Sequence, residues 1–134
     1  MFKHIKTIGA HCGAPEPERM PIGKTASMPE GCLCELQDGN IVSAVTAGKA
    51  KFITVESKAS DDGRNKIKCI RVLPGMLFRT KFTGDVDSTP AGTLIMASTD
   101  TNGFYTQCKE GSGTIEVIDT SEHYTTGNIT VTIH

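Results

Sequence analysis

The stretch "IRVLPGMLFRTKFTGD", Ile70 to Asp85, decides the fold class. On both sides of Leu73-Pro74-Gly75 the apolar residues recur at every second position, the period of a strand with one buried face. Ile70 and Val72 share a face of the first run, with Arg71 opposite. Met76, Phe78, Thr80 and Phe82 share a face of the second, with Leu77, Arg79 and Lys81 opposite. Pro74 has no N–H to give to a ladder, so the two strands part at a corner. Core on one side and charge on the other explain this pattern without any catalytic group.

The same period extends outward. In the closing segment NITVTIH, Ile129, Val131 and Ile133 point one way and Thr130 and Thr132 the other. Comparable runs are Cys32 to Gln37, Asn40 to Val45, Lys51 to Glu56, Lys66 to Val72, Met76 to Phe82, Thr93 to Ser98, Phe104 to Cys108 and Thr114 to Asp119. Asp38-Gly39 suits a tight hairpin because both positions tolerate positive φ. Asp62-Gly63, Asn102-Gly103 and Gly111-Ser112-Gly113 mark later joins. About nine short strands at this spacing predict an all-β fold, a small single-domain β-barrel or β-sandwich. Helical periodicity is nearly missing, and only Ser43 to Gly48 suggests a helical turn.

A chain of 134 residues suffices for one domain with its own core. Lys and Arg number 14 against 15 Asp and Glu, a net charge of −1 that gives no support to a general binder of polyanions. With no Trp, two Tyr and five Phe, platforms for stacking bases are thinly supplied, so no nucleic-acid partner is expected. The five cysteines form an odd set in a chain that needs no stapling. They indicate synthesis in a reducing cytosol with free thiols. The first residues lack an apolar stretch of signal-peptide length, and no apolar run approaches a membrane span.

Residues 1–28 differ from residues 29–134, which carry the strand pattern. Ala14-Pro15-Glu16-Pro17-Glu18 favours extended chain, and Met20-Pro21 and Met28-Pro29 continue the theme. This is an extended N-terminal arm with two readings: a strand and loop lying on the protein's own body, or a segment that gains order on a partner.

Chemical motifs are weak. Cys32-x-Cys34 puts two thiols on one strand face, yet structural zinc sites space paired ligands more widely and need a second pair. The remaining candidates, His4, His11, Cys12, Cys69, Cys108, His123 and His134, are scattered. No metal or cofactor is expected, and the thiols read as small core hydrophobes. Cys12 beside His11 is no nucleophile pair, because neighbours on extended chain point apart. Ile22-Gly23-Lys24-Thr25 lacks the earlier glycine of a phosphate loop. Asp61-Asp62 and Asp85-x-Asp87-Ser88 lack the calcium-loop rhythm and read as solvated turns. No catalytic residues are assigned.

The layout resembles the head decoration, or cement, proteins of tailed bacteriophages. The resemblance rests on the Pro-containing leading segment, then "MPEGCLCELQDGNIVSA", "IKCIRVLPGMLFRTKFTGD" and a close on "GNITVTIH"; "PGMLFRTKFTGD" followed by Ser-Thr-Pro-Ala-Gly-Thr is the most similar part. It implies a non-enzymatic virion protein made in the host cytoplasm that binds the capsid exterior, with the major capsid protein as partner and a homo-oligomer, a trimer by preference. By position, the arm's Phe2, Ile5, Ile8, Met20, Pro21 and Ile22 would then be the capsid-binding residues. The alternatives are another phage tail or baseplate module, or a ligand-binding barrel of the oligonucleotide-binding kind. The last would use Lys49, Lys51 and Phe52 with Arg79, Lys81 and Phe82 as a basic, aromatic strip.

Overall fold

The computed structural model describes residues 1–7, 16–44 and 50–134. Its elements are β1 (Lys3–Thr7), β2 (Glu18–Pro21), β3 (Leu33–Gln37), β4 (Asn40–Ser43), β5 (Phe52–Thr54), β6 (Lys66–Arg71), β7 (Met76–Thr83), β8 (Leu94–Thr99), β9 (Tyr105–Lys109), β10 (Ile115–Asp119), α1 (His123–Thr126) and β11 (Asn128–Ile133). The chain is nearly all β, as the alternation predicts, and the alternative of barrel or sandwich resolves to a barrel. Strands β7, β11, β10, β8 and β9 pair in that order, and β9 returns to β7 through Phe82 opposite Cys108 and Thr83 opposite Lys109, closing the ring. The closing pair is parallel and the others are antiparallel.

The ring closes because β7 is long enough to serve several neighbours. Its first residues, Met76 to Arg79, pair with β1, and its last two with β9, while Phe78 to Lys81 pair with β11. The inward residues of a five-stranded ring fill its centre. Here these are Met76, Phe78 and Phe82 of β7, Ile95 and Ala97 of β8, Cys108 of β9, Ile115 and Val117 of β10, and Ile129 and Val131 of β11. Gly113 lies where β10 approaches β8 so closely that a Cβ would stand 2.3 Å from the Ile95 carbonyl oxygen, so only glycine fits.

A second sheet, ordered β2-β6-β5-β3-β4, packs beside the barrel. Leu33, Ile53 and Ile70 on its outer face join the barrel core. Its other face holds a second core of Ile22, Met28, Cys32, Cys34, Ile41, Phe52, Ile67 and Cys69. The expectation of core on one side of the Ile70–Val72 run and charge on the other is thereby corrected. Arg71 shares its face with Ile67 and Cys69, so that face is apolar for most of its length and charged only at the end. There the Arg71 guanidinium lies 5.2 Å from the Phe52 ring centre and grips Glu18 at 2.7 Å and 3.3 Å. The β3–β4 hairpin turns at Asp38 and Gly39 with φ of 52° and 82°, as Asp-Gly predicts. The helical turn expected from Ser43 to Gly48 falls mostly outside the described residues. Among the described residues the one α-helix, α1, is a single turn ended by Gly127 at φ 76°, and Val86–Ser88 form a 3-10 turn.

The leading segment follows the first of its two readings. It is extended, but its strands lie on the chain's own body: β1 pairs with β7 and β2 with β6. Phe2 enters the barrel core at 2 % exposure, with its N–H donated to the Gly31 carbonyl at 2.9 Å. Truncating a buried Phe removes transfer energy and leaves a cavity. We therefore expect Phe2→Ala to lower the unfolding free energy by about 3 kcal/mol in urea titrations, and Ile5→Ala to change it by under about 0.5 kcal/mol.

Candidate functional site: the arm strands, the seam and the buried thiols

The proposed anchor residues separate by burial. Phe2 and Ile22, each 2 % exposed, belong to the two cores and have no surface to offer a partner; their assignment as contact residues is corrected. Met20 is half-buried against the second core. Pro21 is exposed at the end of β2, opposite Lys66. Ile5 is 40 % exposed, at a bulge where the β1–β7 register slips between His4 and Lys6. Ile8 lies outside the described residues. Ile5 and Pro21 thus remain as outward-facing members of the set.

Beside β1 the seam between barrel and second sheet opens into a hollow of about 350 Å3, with Phe2, Ile53, Val55 and Ile70 among its walls and Lys3 and Glu30 also lining it. His4 lies here, its ring 5.8 Å from that of Phe78 and edge-on to it, with Nε2 3.1 Å from Thr7 Oγ1. Burial holds the imidazole below its ordinary pKa, which favours the neutral ring over the aromatic face. A second hollow, of about 400 Å3, lies at the Leu73-Pro74-Gly75 corner, lined also by Val72, Ile133 and His134. Leu73 stands partly exposed there.

The thiols face inward. Cys32, Cys34 and Cys69 line the second core and Cys108 the barrel, all fully buried and unbridged. Cys34 Sγ lies 3.9 Å from Met28 Sδ, and Cys32 Sγ lies 3.6 Å from Ser43 Oγ. Burial pushes the Cys69 and Cys108 thiols up to about 12. Within the adjacent pair, a hydrogen bond between the thiols lowers Cys32 and raises Cys34, and burial raises Cys34 further. Cys34, Cys69 and Cys108, all raised, are protonated at neutral pH, and the four buried thiols pack as compact hydrophobes. Among the described residues no three His, Cys, Asp or Glu side chains converge closely enough to hold a metal ion. His123 instead bonds the Phe82 carbonyl at 3.0 Å, and His134 lies 2.7 Å from Glu116. Cys12 and His11 lie outside the described residues.

The basic, aromatic strip does not assemble. Phe52 and Phe82 point into the two cores, and Arg79 is held by Glu122 at 2.8 Å. Lys49 lies outside the described residues. Period-two alternation carries the reason: Phe82 shares the inward face of β7 with Phe78, while Arg79 and Lys81 point outward.

One buried group escaped the sequence reading. Lys58 is buried with its ammonium donating to the carbonyls of Lys24, Ala26 and Ala59 at 2.8, 2.8 and 3.1 Å, and pairing with Asp62 at 3.3 Å. A buried cation persists only when its protons are met. This one ties the 24–26 loop over the second core. Asp62 is held down to about 2, first by the Arg64 backbone N–H. It is the clasp of a turn, in keeping with the reading of Asp61-Asp62 as a turn. No local motif marks Lys58, because two of the three carbonyls it meets, those of Lys24 and Ala26, are distant in sequence.

Comparison with protein-family models, with curated proteins and with solved structures finds no match to this chain. The thiol geometry yields its own test. In native protein at pH 8, Cys32, Cys34, Cys69 and Cys108 should resist iodoacetamide, and mass spectrometry should find all four modified only after denaturation.

Proposed function

We propose that this chain is a structural module that adheres to a larger protein assembly, namely the outer surface of a tailed-phage capsid lattice, as the head decoration proteins that its sequence layout resembles do. The observation that supports this most is the placement of β1. Among the described residues it pairs with β7 alone, so one edge faces away from the barrel beside an apolar hollow, with Ile5 exposed. A strand edge of this kind takes a partner's extended segment by backbone hydrogen bonds, while side-chain pockets select which segment enters.

Lys3 and Lys6 and the bulge at Ile5 blunt that edge against pairing with identical copies, a common protection of edge strands. A matched partner strand is a different case, since its own charges and register can answer both features. In the proposed arrangement the copies sit as trimers on the major capsid protein. Weak contacts repeated over a shell then sum to a strong clamp through avidity. Because β1 starts from buried Phe2, the adhesive edge is held rigid, and less ordering entropy is lost when a partner docks.

Ile5→Asp tests this reading, since the residue is exposed and the fold should survive. The variant should keep the wild-type melting temperature and lose most co-sedimentation with expanded capsids of the parent phage. A variant that decorates those capsids as fully as wild type would overturn the proposal.

A further inference from the structure

The strands of the second sheet carry a charge arrangement that the fold does not need. In the β2–β6 register Arg19 stands directly opposite Lys68, and Lys66 is the next residue of β6 on the same face. All three are exposed. Residues in direct cross-strand register are neighbours, and like charges there destabilise the pair. Of the four arginines, Arg64, Arg71 and Arg79 each hold a carboxylate, whereas Arg19 faces a lysine. Of the neighbouring acids, Glu18 on β2 is paired with Arg71 at 2.7 Å, and Glu56 accepts from the Lys68 backbone N–H at 2.9 Å. Glu56 is already paired with Arg64 at 3.3 Å. Among the described residues no carboxylate lies within salt-bridge distance of Arg19, Lys66 or Lys68.

We infer that Arg19, Lys66 and Lys68, at the exposed end of the same face of β2 and β6 whose Ile70 meets the barrel core, form a docking face for an acidic protein segment. The inference rests on the adhesive reading above and names the chemistry of the partner. An extended segment with carboxylates at alternate positions would meet all three cations from one side, since strand side chains on one face repeat at the same period. It would also relieve the Arg19–Lys68 repulsion on binding, so the interaction is favoured in the complex over the free protein. Nucleic acid fits less well. The face offers three cations and no aromatic, and Phe52, behind β5, is buried in the second core.

The test uses the full chain, a glutamate-rich peptide and oligothymidylate, read by fluorescence anisotropy at several salt concentrations. The wild-type chain should bind the peptide more tightly than the oligonucleotide, with affinity falling as salt rises. Lys68→Glu should weaken peptide binding by about tenfold. The same substitution should raise the melting temperature, because the new carboxylate faces Arg19. Lys68→Gln should fall between the two in both measurements. Tighter binding of oligothymidylate, unchanged peptide affinity in Lys68→Glu, or a lowered melting temperature in that variant would each overturn the inference. The outcome is separable from that of the capsid proposal, because peptide binding is measured without capsids and Ile5→Asp should leave it intact.

Discussion

One strand of eight residues has three partners to satisfy, and that constraint organises the molecule. At about 3.3 Å per residue, β7 spans roughly 25 Å. Its pairings with β1 and β9 use successive parts of that length, and β11 takes the middle. The ring of five strands could not close if β1 occupied the whole strand. Alternation then decides what each side of β7 does: Met76, Phe78, Thr80 and Phe82 fill the barrel, while Arg79 and Lys81 face out. Pro74 contributes by ending the preceding strand, which frees β6 to lie in the second sheet. Thr80 is an exception among the inward residues, a buried hydroxyl with no hydrogen-bond partner within ordinary distance, although it lies near enough to Cys108 to influence that thiol.

The second sheet depends on contacts of a different kind. Its inner face is covered by the 20–28 segment, with Met20, Ile22, Ala26 and Met28 contributing, so part of the leading segment acts as a lid on a core. The Arg71–Glu18 pair is exposed and adds little to this by itself. The larger contributions are burial of Ile22 and Met28 and the backbone ladder of β2 with β6. Lys58 completes the closure by meeting carbonyls that would otherwise face a buried environment.

Nearly everything that alternates was legible in the sequence. The strands from β3 to β11 coincide with the apolar runs read along the chain, and the Asp38-Gly39 hairpin and the Leu73–Gly75 corner follow from backbone chemistry alone. Strands β1 and β2 were legible only as one of two readings of the leading segment, a strand and loop on the chain's own body, and neither their bounds nor their partners could be read. "KHIKT" and "ERMP" carry little apolar alternation of their own, and their pairing is decided by partners some fifty residues or more away, β6 and β7. The second core was hidden for a related reason: Arg71 made its face look charged, whereas Ile67, Cys69 and Cys34 make it apolar. Among the arm residues, exposure of Ile5 and burial of Phe2 and Ile22 could not be told apart, because an apolar residue in extended chain reads the same on either face. Lys58 belongs to the same class, since a lysine is normally read as surface.

The central claim is that the leading strands are staves of the folded body, with β1 presenting only its outer edge. Native-state hydrogen exchange measures this directly, since each amide reports the free energy of the opening that exposes it. The amides that β1 shares with β7 should exchange only through global unfolding, at the same opening free energy as those between β7 and β11. Exchange of the β1 amides at the rate of free chain, while the β7–β11 ladder stays protected, would contradict the account.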